Sequence, residues 1–485
     1  MSFVPAWELR AAFARALSGM YGTEVPAYTT LVEVSLGVNT DVAAGAEDAE
    51  RLGSIARVTA ERHGAIRVGS PAEMAQVARV FGAFGMYAVG FYDLRDAAKS
   101  SVPVVSTAFR PTEAEELARN PFRVFTSMLA TDDRRFFDPE LSAEINRFVD
   151  ARELFGAELL ELADAAIAAG GLDSGDAERL LELATAAFEL SAEPVDHDWY
   201  RRLEKISAVA ADIAGIGSTH INHLTPRVLD IDQLYDRMEQ RGITMIDEIQ
   251  GPPRWHGPDV LLRQTSFRAL DEERTFRFAD GTVGPGSLRV RFGEVEARGI
   301  ALTPAGRDHY DALLSEVDRR LAADPDGPAK ASVTDQPDIR ALSTPRQLTA
   351  RQVWTEAMPA TEQALDEAGM GWFSYAVAQD APHLDAPQGG EGTRRSLSEL
   401  VHAGLLERRP IVYEDFLPRS AAGIFQSNLA AEGERDATRD AEAYDLHRLS
   451  ELIGAPIADP HELYRAERAA SLQQAAERLG IEITE

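Results

Sequence analysis

The chain has 485 residues, 45% of them hydrophobic, enough for more than one buried core and, on length, about three domains. Its 49 basic residues against 79 acidic ones give a net charge of −30, which excludes a nucleic-acid surface and an anionic membrane face, because both need clustered cations. There is no cysteine, so disulfides, zinc–thiolate sites, iron–sulfur clusters and thiol nucleophiles are excluded together. No apolar run reaches a membrane span and no signal pattern opens the chain, so the expected compartment is the cytoplasm.

Residues 1–62 read as N-terminal helices. Trp7, Ala11, Ala14 and Leu17 recur at helical spacing, a second periodic stretch runs from Tyr28 to Val42, and a third from Ala49 to Glu61. At His63 the pattern changes, and residues 63–137 read as strand, helix, strand, strand, strand. Ala65, Ile66 and Val68 open the unit; Ser70, Pro71 and Glu73 form a helix entrance; Gly85 ends the helix; three runs rich in β-branched and aromatic residues follow. Residues 138–217 return to helical spacing, an insertion of about three helices with Asp176 as one N-cap and no chemistry of its own.

Residues 218–323 repeat the strand, helix and three strands. The strands are expected over 223–228, 243–249, 260–269 and 288–296, with a loop or hairpin over 271–287 turning at Asp280-Gly281. Thr303-Pro304 then caps a helix to Leu321. A proline-rich linker is expected over 324–348, and a mainly helical region over 349–485 that covers the site.

The two units share more than their order. His63 and His223 each start a strand as His-x-x-x-Arg-Val, and each is followed at near-equal spacing by Thr-x-Phe-Arg, at Thr107 to Arg110 and Thr265 to Arg268. We read two copies of one βαβββ module, which pair into a curved sheet around a cavity with one inward histidine from each half. A carboxylate from the last strand of the second module completes a two-histidine, one-carboxylate set, which suits Fe(II) and leaves adjacent positions open. Glu294 and Glu296 share a strand face, since side chains alternate. Glu294 is preferred because Gly293 allows close backbone approach; Glu296 is the competitor, or a partner for Arg298 or Arg291. The corresponding strand of the first module, around Phe122 to Leu129, offers no acid, so one metal site is expected. His220 is left as a substrate contact or a support for the ligands, Gln264 as a cavity or packing residue, and Arg227 as a structural counterpart of Arg67. The other histidines show no metal spacing.

The strings HGAIRVG, HINHLTPRVLDID, LLRQTSF, RFGEVEARG with ALTP, and PIVYEDFLPRSAAGIF resemble those of the 2-oxoadipate dioxygenase/decarboxylases, of the vicinal-oxygen-chelate superfamily. The resemblance runs from Tyr28 to about Leu429. It implies an α+β fold of two vicinal-oxygen-chelate modules and a reaction of 2-oxoadipate with O2 to (R)-2-hydroxyglutarate and CO2, in lysine catabolism. It implies Fe(II) held by His63, His223 and Glu294, with Arg67 at the oxo-acid end and the turn at Arg419 and Ser420 at the distal carboxylate. Arg419 stands where the family pattern has a smaller apolar residue, so contact there would run through the backbone. A dianion approaching a protein of charge −30 needs fixed cations, and arginine offers bidentate geometry for a carboxylate. Two other classes remain open: a non-redox metal-dependent lyase or isomerase of the glyoxalase type, and a metal-free binding protein on the same scaffold. The oligomeric state is not legible.

Overall fold

The computed structural model describes residues 2–45, 54–60, 62–96, 102–289, 291–324, 344–379, 394–428 and 443–484. The expected linker therefore lies mostly outside the described residues, as does part of the third N-terminal helix, of which Ile55–Ala60 is helical.

The site is built on seven strands: β1 (Arg62–Val68), β2 (Tyr87–Asp93), β3 (Val104–Arg110), β4 (Arg123–Leu129), β5 (His223–Pro226), β6 (Leu262–Ser266) and β7 (Glu294–Arg298). In the first module β1 leads to the helix Pro71–Ala83, and β2, β3 and β4 return beside it, so that β1 and β4 lie parallel. The helix starts where Ser70 accepts from the Glu73 amide, and it is followed by Gly85 in the left-handed region at φ +64°. In the second module β5 leads to the helix Ile231–Gln240, capped by Asp230, and β6 and β7 pair antiparallel. The two opening strands pair with each other, Ala65 opposite His223, and Val228 N donates to Glu296 O at 2.8 Å to join β7 to β5. The result is one continuous run in the order β2-β3-β4-β1-β5-β7-β6. The first module is complete, the second contributes β5, β6 and β7, and both belong to this one sheet.

The sheet has two chemically different faces, as period-two alternation demands. Ile66, Val68, Phe109 and Val124 face outward and pack under helices, with Phe13, Phe81, Phe84 and Phe122 forming the adjoining aromatic core. The first helix, Ala6–Glu24, contributes Leu9, Phe13, Leu17 and Tyr21, so its buried stripe is turned from the one read at Trp7 and Ala11. Each such side chain contributes roughly 1.5–3 kcal/mol by leaving water. The other face carries His63, Arg67, Arg110, Arg123, His223, Glu294, Glu296 and Arg298, all buried.

The structure departs from the sequence reading in three places. The insertion holds five helices, Pro139–Asp150, Ala157–Ala169, Ser174–Ala186, His197–Glu204 and Ala208–Ala214, because two short helices follow where the apolar period fades. Asp173, not Asp176, sits at the N-cap of the helix that begins at Ser174. The run 243–249 forms only isolated bridges, Met245 to Phe267 and Gln250 to Gln264. The hairpin Glu272–Arg277 with Val283–Leu288 forms as expected, with Gly281 at φ +82°. The C-terminal region mixes helices with strand pairs such as Phe373–Val377 on Leu406–Pro410, around a second core that includes Trp354 and Phe373. No described helix is long and apolar enough to cross a membrane.

Candidate metal centre

His63 and Arg67 sit two pleats apart on the inner face of β1, and His223 enters from the start of β5. Glu294 is the first residue of β7, directly after Gly293. A Cβ on Gly293 would lie 2.1 Å from the Phe267 ring, so only glycine lets β7 come this close to its neighbour. The Tyr21 hydroxyl donates to the carbonyls of Asn222 and Phe292, at 3.0 and 2.8 Å, tying together the two loops that deliver His223 and Glu294.

The ligand atoms of His63, His223 and Glu294 all lie within 4.8 Å of one another, and no other such group occurs among the described residues. His63 Nε2 is 3.6 Å from Glu294 Oε2, and His223 Nδ1 is 3.5 Å from Glu294 Oε1. The two imidazoles stand edge to face at 5.5 Å between centroids. His223 Nδ1 is buried without a hydrogen-bond partner among the described residues. A buried lone pair left so is costly unless something fills the space in front of it. Two imidazoles and a carboxylate converging on one point fit a divalent transition metal.

Glu296 is not among the three. Its Oε2 lies 2.8 Å from His63 Nδ1, while Arg298 takes both of its oxygens at 2.7 and 3.0 Å. A proton on Nδ1 thus faces a carboxylate, and Nε2 is left as the lone-pair nitrogen turned to Glu294. Arg298 also donates to the carbonyls of Tyr413 and Asp415. Gln264 reaches the group as well, its Nε2 donating to Glu294 Oε2 at 3.2 Å. Arg227 is buried and directed at the Arg298 carbonyl.

The electrostatics separate the groups. Burial opposes the charged form of His63, but Glu296 and Glu294 outweigh it and raise its pKa. Burial, with His63 adding to it, pushes His223 well below the usual range, so it offers a neutral ring. Burial raises the Glu294 carboxyl against the pull of His63. At Glu296 burial is overcome by Arg298 and His63, which hold the carboxyl well below the usual range.

Arg67 pairs with Asp212, a residue the sequence reading passed over in the insertion. The one signal was a lone acid in the apolar run Ala-Val-Ala-Ala-Asp-Ile-Ala, 208–214. Asn222 Nδ2 donates to Asp212 Oδ2 at 2.9 Å, and His220 Nε2 is 3.3 Å from Asp212 Oδ1, so His220 supports this cluster. Phe416 was also missed. It stands edge-on to His63 at 5.0 Å and against Phe125 at 4.9 Å, over β1 and β4. The helix Pro418–Asn428 begins two residues later, with Ser420 buried in its first turn and the Arg419 side chain exposed. Its far end is held where Asn428 donates to Ser266 at 2.7 Å.

A model of the 2-oxoadipate dioxygenase/decarboxylase family matches residues 13–428. Proteins of that name from Mycobacterium tuberculosis and Escherichia coli are 53% and 38% identical to the chain, each over 95% of this chain and 96% of the relative. The crystal structure of hydroxyglutarate synthase from Pseudomonas putida in complex with 2-oxoadipate matches at a TM-score of 0.80 and 36% identity, covering 99% of this chain and 100% of that one. Fold, matched span and identity together place this chain in the 2-oxoadipate dioxygenase/decarboxylase family.

Proposed function

We propose that the chain is a non-haem Fe(II) dioxygenase/decarboxylase that converts 2-oxoadipate and O2 to (R)-2-hydroxyglutarate and CO2, a step of lysine catabolism. The observation that carries the reading is the buried convergence of His63, His223 and Glu294, with an arginine, Arg67, on the same sheet face. The three residues would hold Fe(II), which supplies a chelation point for a 2-oxo acid and the electron transfer that O2 requires.

The other residues bind and orient. Arg67 lies on β1 two pleats from His63, which is 3.6 Å from Glu294, so it can meet a carboxylate held beside them. The first turn of the helix Pro418–Asn428 offers backbone N–H groups at Arg419 and Ser420, a ready site for the distal carboxylate. The distance between these two ends would then select the length of the diacid. Phe416 and Phe125 exclude water from the His63 side of the cavity. In the net change C1 leaves as CO2, the former C2 becomes a carboxylate, and the neighbouring carbon gains a hydroxyl. One atom of O2 enters each new group, and the substrate gives up four electrons.

The test is oxygen uptake by anaerobically Fe(II)-loaded protein on addition of 2-oxoadipate, with product identified. Uptake of one O2 per 2-hydroxyglutarate and CO2 is expected. No uptake with any 2-oxo acid, despite bound metal, overturns the redox reading.

A further inference from the structure

The helical insertion meets the inner sheet face through the helix Ala208–Ala214, where Asp212 pairs with Arg67. The helix Ala208–Ala214 is buried along its length from Val209, and Asp212 is its one acid. A carboxylate in such a place costs several kcal/mol unless it is paired, by roughly the penalty of desolvating an ion. Asp212 is held from three sides: by Arg67 from β1, by Asn222 from the loop ahead of β5, and by His220 from the same loop. Thr219, next in that loop, donates to the Arg67 carbonyl at 2.8 Å. Backbone and side chain of Arg67 are thus both fixed by residues that flank or belong to the insertion. Despite burial, His220 and Arg67 keep Asp212 ionised.

Arg67 has a competing carboxylate on the same sheet face, since Glu294 stands 3.6 Å from His63, four residues before Arg67 on β1. A long side chain placed between two acids goes to whichever holds it better. If it turned to Glu294, it would occupy the oxygen a metal needs and would no longer face a substrate carboxylate. We infer that Asp212 is a positioning residue, which fixes the guanidinium of Arg67 for the carboxylate of the 2-oxo acid and keeps it from pairing with Glu294. The insertion is then part of the substrate site, not a decoration of the fold. The inference rests on the function proposed above for its substrate arm, but its metal arm stands without it.

The experiment is a double-mutant cycle on the full chain, Asp212→Ala, Arg67→Ala and both, read by two binding measurements that need no turnover. The first is the dissociation constant of Fe(II) alone under anaerobic conditions. Asp212→Ala is expected to weaken it at least fivefold, and adding Arg67→Ala to restore it to within twofold of the Arg67→Ala single variant. Rescue by a second deletion is a result that general loosening of the fold does not give. The second is calorimetric titration of the metal-free protein with 2-oxoadipate, where Asp212→Ala is expected to weaken binding at least tenfold, with no further loss in the Arg67→Ala background. Unchanged metal affinity in Asp212→Ala, or a loss that persists in the double variant, overturns the inference. If Arg67→Ala leaves 2-oxoadipate binding intact, the substrate role of Arg67 fails, and the metal arm still decides on Asp212. Should Asp212→Ala not fold, Asp212→Asn enters the same cycle, keeping the side-chain size and removing the charge.

Discussion

The two modules start from the same pattern and put it to different uses. In register, β1 sets His63 opposite Arg123 and Arg67 opposite Ser127 on β4, whereas β5 continues to Arg227 opposite Glu296 on β7. Counting along those ladders, the place of Glu294 in the second module is taken by Phe125 in the first. Phe125 packs on Phe416, so this one position of the inner face holds an aromatic ring in the first half and an acid in the second. The arginines diverge in the same way. Arg110 is buried against Asp415 at 3.0 Å, and Arg123 against Glu414 at 2.6 Å. Arg268, the repeat-mate of Arg110, pairs with an exposed Asp247. The first module therefore holds the acids Glu414 and Asp415 of a segment whose carbonyls Arg298 also holds, and the second module supplies the acid of the proposed metal group. A four-ligand, glyoxalase-type site would need an acid in both halves, and the first half has spent that position on packing.

The strongest way to break this division is at the acid. Glu294→Gln keeps the shape and removes the charge, and the protein is expected to lose its metal together with at least about 1,000-fold of its activity, judged by metal analysis of the purified variant. Glu296→Gln is the contrast: metal affinity falls only about 10–100-fold, because the change acts through His63. Next is Arg110→Ala, which leaves Asp415 buried without its guanidinium and is expected to cost about 3–5 kcal/mol in denaturant unfolding. The same change at Arg268, on an exposed pair, is expected to cost less than about 1 kcal/mol. Equal costs at the two positions would mean that the repeat-mates do the same work.

How much of this was legible follows from what repeats. The opening strands, their histidines and the helix caps carry local signals, and Ser70, Asp230 and Thr303 cap where their spacing says they should. Gly293 marked the close approach that favoured Glu294, and the pairing of Glu296 with Arg298 two residues on was open from the sequence, but the tie of Glu296 to His63 is a contact across strands that spacing does not encode. The second strand of the second module was overread: 243–249 has the apolar content of a strand yet pairs only at isolated points. Asp212 and Phe416 were invisible as site residues because each arrives from far along the chain, and only the tertiary fold puts them beside Arg67 and His63.

An effect smaller than that expected at Arg110 tests the docking of the C-terminal region on the first module, through pH. Tyr464 of the helix Pro460–Leu479 donates to Asp415, and Glu467 of the same helix feels the charge of Glu414, which Arg57 and Arg123 hold. Burial, with Glu414 adding to it, pushes the Glu467 carboxyl up to about 7. An unfolded chain releases that proton near pH 4.5, as any glutamate does. Between these values the native protein holds more protons than the unfolded one, so this group makes stability fall as pH rises from about 4.5 to 7, and adds no slope outside that window. The full shift would correspond to roughly 3 kcal/mol, and the partial exposure of Glu467 reduces it to about 1–2 kcal/mol. Glu467→Gln should therefore match the parent protein at pH 4.5 and exceed it by that amount at pH 8, in unfolding curves measured at both. A variant no more stable at pH 8 would mean that the helix meets the first module without burying this carboxyl, and that Arg110 and Arg123 alone carry the docking.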